Sequence, residues 1–147
     1  MPLEWTVPQA AVVPPTLTTQ QVAGEDIRLR NGSADVGPHG DLATVRGTDA
    51  AYQSVVREAG ANPGSLVRRP EWGCGLPGQV LQGNTPSTRA AAVAAVRARL
   101  AANPRIAGIQ EVSAADGDDG YVLTVRASTA EGNPLAMDVQ VTPRGVK

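Results

Sequence analysis

Residues 86–110, PSTRAAAVAAVRARLAANPRIAGIQ, carry the clearest pattern in the chain. Val93, Val96 and Leu100, widened by Ala92 and Ala95, recur at helical spacing, with Arg89, Arg97 and Arg99 beside or opposite them. Asn84 or Thr85 is placed to cap this helix and Pro86 to open it. Pro104 stops it. The period then changes to that of strands, over residues 106–112, 121–126 and 135–141, with an acidic, glycine-flanked hairpin loop at 116–120 and a turn at 131–134.

The first half is patterned more weakly. Residues 26–30 alternate polar and apolar, which predicts a half-buried strand closed by Asn31-Gly32, and residues 42–46 form a second short strand. Thr48 is a candidate N-cap for a helix with Tyr52, Val55, Val56 and Ala59 on one face and Gly60 at its end. Residues 65–69 read as extended, because Pro70 disfavours helix before it. Val80 and Leu81 mark a short helical turn. Before all this, residues 1–24 hold Pro2, Pro8, Pro14 and Pro15, so they read as an extended arm. Trp5 in that arm is a large indole that gains by burial against a partner. The expectation is therefore an α+β chain: an arm over 1–24, then one domain over 25–147. In that domain an antiparallel sheet of about four strands packs against one long and one or two short helices.

Composition narrows the chemistry. The core has no Phe to use, and aromatics are 3% of the chain, so it is built from small aliphatic side chains. A net charge of −1 provides no field for nucleic acid or an anionic membrane. Twelve of the thirteen basic residues are arginine, whose planar fork suits partner carboxylates. The lone Cys74 excludes an intrachain disulfide and fits a reducing compartment during folding. No run approaches the roughly 20 apolar residues of a membrane span, and the N-terminus lacks a signal-peptide pattern. The reading is of a protein made in the cytoplasm.

Each motif that could carry catalysis or cofactor binding has a plainer explanation. Residues 73–78 match G-x-G-x-x-G, but Pro77 interrupts the motif and no βαβ context surrounds it. Asp116, Asp118 and Asp119 lack the bidentate Glu of a calcium loop. His39 is the sole histidine, so no histidine-based metal site exists. Glu71, Glu111 and Asp138 could serve a glycosidase, yet no spacing singles out a pair and few aromatics remain to stack sugars. Neither an enzyme nor a cofactor is expected.

An ordered set of pieces from about 41 to 141 resembles a known family. Gly47-Thr48-Asp49 opens a helix, and Gly64-Ser65 precedes Arg69-Pro70-Glu71-Trp72-Gly73. Residues 85–89 start the long helix, Asn103-Pro104-Arg105-Ile106 ends it, and a hairpin follows. This order is similar to the small baseplate wedge, or sheath-initiator, proteins of contractile phage tails and injection systems, historically called lysozyme-like. The resemblance implies a structural protein in six copies around the tail hub or spike. Its partners would be other wedge proteins and the sheath, and its place a phage tail or an extracellular contractile particle. Docking would use Asn103, Pro104 and Arg105, where the family has Glu-Pro-Arg. The strand bearing Leu135, Met137, Val139 and Val141, or the one at 121–126, would template the first sheath ring by strand addition. The arm with Trp5 is assigned to partner contact. A type VI secretion baseplate component and a peptidoglycan glycosidase are the alternatives.

Overall fold

In the computed structural model, residues 24–146 are described. The arm expected at the N-terminus, Trp5 included, lies outside the described residues apart from Gly24. Four short strands come first: β1 (Glu25–Ile27), β2 (Leu29–Arg30), β3 (Ser33–Ala34) and β4 (Thr44–Arg46). Three helices follow: α1 (Gly47–Ala59), α2 (Leu76–Val80) and α3 (Pro86–Ala102). The chain closes with β5 (Ile106–Gly117), β6 (Gly120–Thr129), β7 (Pro134–Thr142) and β8 (Gly145–Val146). β5 to β8 form one antiparallel sheet in sequence order, and β1–β4 and β2–β3 are separate two-stranded pairs. The expected α+β class is observed.

The sheet is built by strict alternation. Tyr121, Leu123, Val125 and Ala127 of β6 and Leu135, Met137, Val139 and Val141 of β7 are all buried. Their neighbours along each strand face outward, which is the period-two logic of a sheet covered on one side. The helices cover that side. Ala92, Val96 and Leu100 of α3 join Ala51, Val55 and Ala59 of α1, Leu76 of α2 and the strand residues in one cluster. At α3 the expected cap forms: the Thr85 hydroxyl accepts from the Thr88 amide at 3.1 Å, and Pro86 occupies the first turn.

Several expectations shift. The strand predicted over 26–30 is divided at Arg28, whose amide bonds Ala43 instead, so β1 pairs with β4 while β2 turns back on β3. α1 starts at Gly47, with Arg46 rather than Thr48 in the cap position. Its buried stripe runs through Ala51, Val55, Glu58 and Ala59, leaving Tyr52 and Val56 exposed. Residues 65–69 form successive turns, not extended chain. The Gly64 amide bonds Pro70 O at 2.7 Å and the Arg69 amide bonds Leu66 O at 3.1 Å, which closes the segment on itself. Residues 121–126 lie in β6, flanked on both sides by β5 and β7, so that strand has no edge to offer a partner. After Pro143-Arg144 the chain turns back as β8.

Candidate functional site

The corner after α3 follows from Pro104. A proline disfavours the α region for the residue before it. Asn103 accordingly sits at φ −83°, ψ 116°, and the helix ends there. The Asn103 carboxamide oxygen then accepts from the Arg105 amide at 3.0 Å, a local side-chain turn at the start of the strand segment that packs back on α1.

There the corner meets a buried carboxylate. Glu58 of α1 is 3% exposed, and Arg99 of α3 donates to its Oε1 at 2.9 Å. Asn103 Nδ2 points at both Glu58 Oε2, 3.4 Å away, and the Ser54 hydroxyl, 3.3 Å away. Asn103 stands where the family this chain resembles carries a glutamate. Here the carboxylate at this corner comes from Glu58, and Asn103 binds to it. Arg105 lies 3.5 Å from the Ala50 carbonyl and 3.8 Å from Asp26, and Arg57 reaches the same Asp26 oxygen at 3.2 Å.

These residues wall one side of an open groove of about 560 Å³. The other side comes from the turn at 62–72. Gly73 anchors it: at φ +115° it lies so close to α1's end that a Cβ would stand 2.6 Å from the Ala61 carbonyl oxygen. The Cys74 amide then bonds Glu58 O at 2.9 Å. Leu66, Arg69, Glu71 and Trp72 are thereby brought opposite Asn103, Pro104 and Arg105. Two motifs separated by the whole of α3 thus share one concavity. Arg57, Glu58, Arg69, Trp72 and Arg99 were not among the expected site residues. Glu58 had left a signal, a charge three residues after Val55 inside an apolar stripe.

The strand residues take a different part. The side chains of Leu135, Met137, Val139 and Val141 are committed to the core. What β7 leaves open is backbone. Only Val141 and Thr142 pair with β8. Outside Pro134–Gln140 there is no strand among the described residues. The two-residue connection at 143–144 closes on the Thr142–Gly145 pair, so alternation directs the N–H and C=O groups of Ala136, Asp138 and Gln140 away from β6. β5 is the other edge, but it is interrupted by irregularities near Gly108 and Gln110.

The catalytic candidates are dispersed. Burial pushes the Cys74 thiol up to about 12, with the Glu58 charge adding to the shift, so it stays protonated and unreactive. Glu111 and Asp138 stand on the outward face of the sheet, beside Arg126 and the Thr124 hydroxyl respectively, and Glu71 lines the groove. The glycines of residues 73–78 serve packing of the turn, and the helix that follows has five residues. Among the described residues no cluster of His, Cys, Asp or Glu is suited to a metal, and no helix is long and apolar enough to cross a membrane.

Neither a family model nor a curated protein matches this chain. A solved structure does. The 1.44 Å crystal structure of a protein from Geobacter sulfurreducens, described as a "putative tail lysozyme", superposes with a TM-score of 0.53 and 19% identity. The match covers 61% of this chain and 85% of that one. The two proteins share a fold.

Proposed function

We propose that this protein is a structural component of a contractile tail or injection-particle baseplate. It docks on neighbouring baseplate proteins through the groove at Asn103-Pro104-Arg105 and offers the outer edge of β7 to the first sheath subunits. The observation that carries this reading is the open, unbulged stretch of β7, in a fold shared with a protein named for a tail. An edge strand with free N–H and C=O groups is a template for another chain, and natural proteins normally block such edges. Leaving one open has a purpose if a partner strand completes it. Six copies around a hub would follow from the family resemblance.

Ala136→Pro tests the role. Its N–H points outward, so proline there removes a donor from the free edge and leaves the β6 ladder whole. Particles assembled with this variant should carry baseplates and lack sheath. Sheathed particles at wild-type yield would refute the templating role.

A further inference from the structure

Between α1 and the outer edge of β7 runs an open trough. Tyr52 shares a hollow of about 340 Å³ with Ala136, Met137 and Asp138, and it is 46% exposed. It lies seven residues before the buried Ala59, on the border of the core-facing stripe of α1. Val56, one turn further along the helix, is 40% exposed. The sheet that covers this stripe stops at β7, and the outward N–H and C=O groups of Ala136 and Asp138 have no strand partner among the described residues. An apolar shelf beside an unpaired ladder is the outline of one missing strand.

The chain carries a segment that can reach it. Residues 1–23 lie outside the described residues and join the domain at Gly24. That junction sits where β7 begins: Glu25 pairs with Arg46 at the start of α1, and a Cβ on the next residue, Gly47, would stand 3.0 Å from the Glu131 carboxylate in the turn before β7. From there α1 and β7 run the same way, since Tyr52 further along the helix meets Ala136 to Asp138. Gly24 has φ +61°, a left-handed conformation that suits a chain reversal. A segment reversed there and laid along β7 is antiparallel to it. Immediately ahead of that reversal is TLTTQQV, residues 16–22, a proline-free run bounded by Pro14-Pro15. It matches the open stretch Pro134–Gln140 residue for residue in length, and Thr16, Thr18, Thr19 and Val22 are β-branched, which favours a strand.

We propose that residues 16–22 lie antiparallel on the open edge of β7 in the free protein, as a guard strand that a partner strand must displace. Tethering gives this segment an effective concentration on the order of millimolar, so it occupies the edge before assembly and blocks association of free chains edge to edge. Leu17 and Val22 are its only large apolar residues, so it buries little and yields to a stronger strand. The assignment adds regulation to the templating role proposed above and rests on that reading for its purpose.

Amide hydrogen exchange followed by NMR tests it on three proteins: the full chain, a chain lacking residues 1–22, and a full-length variant with Thr18→Pro and Thr19→Pro together. Adjacent prolines remove a ladder donor whichever way the strand alternates. In the full chain the outward amides of Ala136 and Asp138 should be protected, and in both altered chains they should exchange about tenfold faster or more. The amides of Leu135, Met137 and Val139, which point at β6, should not change, which shows that the sheet itself is intact. Outward amides that exchange as fast in the full chain as in the altered ones would overturn the proposal. So would protection that rises with protein concentration, because the occupant would then be a second copy. The measurement needs no particle. Unprotected outward amides alongside a sheathless Ala136→Pro phenotype would therefore remove the guard strand and leave the templating role standing.

Discussion

Glu58 is the residue on which the most local structure converges. It is buried, and it holds Arg99 and Asn103 from two directions. Removing one member of a buried pair leaves the other charge without compensation. Arg99 keeps some solvent access, which softens the loss. Glu58→Ala should therefore cost about 2 kcal/mol, read as a lower urea midpoint with an unchanged slope. Cys74 provides a second test at this scale. Its folded value of about 12 stands above the ordinary 9.0, so the folded state holds its proton where the unfolded chain has lost it. This contribution to stability is fully present below pH 9.0 and is lost as pH rises toward about 12. A thiol reagent at pH 8 should leave native protein unlabelled and label it fully in denaturant; rapid labelling of native protein would contradict the burial.

At the scale of elements, the sheet depends on a close approach that sequence periodicity does not reveal. Gly120 opens β6 at φ +154°, and a Cβ there would stand 2.0 Å from the Val141 carbonyl oxygen. Gly120→Ala should force the start of β6 away from β7 and cost about 2–4 kcal/mol, measured by thermal or urea unfolding. Alternation along β7 gives a paired prediction. Met137→Pro removes a donor directed at β6 and places a ring in the core, so it should unfold or severely destabilise the domain. Ala136→Pro, one residue away, should leave the unfolding free energy within about 1 kcal/mol of wild type. Equal effects of the two would mean that the direction of the strand is misassigned.

For the whole molecule, the open question is whether a bond is made or broken at its surface. The shared fold comes with a neighbour whose name includes lysozyme. In this chain, Glu111 and Asp138 lie on an open face and Glu71 on the groove side. General acid catalysis by a carboxyl group calls for a desolvated pocket and a partner across a cleft. Purified protein should not clear a peptidoglycan suspension, and Glu71→Gln and Glu111→Gln should change nothing in that assay. Clearing that either substitution abolishes would replace the structural role with an enzymatic one.

Local pattern alone determined the order and type of the principal elements. The α3 stripe, its Thr85 cap, its Pro104 stop and the alternation of β6 and β7 each act over a few residues, so their causes are written in neighbouring positions. The same reach made Asn103-Pro104-Arg105 visible as a corner. Only the tertiary structure decided which face of α1 is buried, because the sheet and α3 select the stripe that contains Glu58 over the one that contains Tyr52 and Val56. It also decided which strand keeps a free edge, and that the turn at 62–72 closes over the corner to make a groove. Those outcomes are set by contacts between segments tens of residues apart, where the energy of packing and of a satisfied buried charge outweighs any local preference.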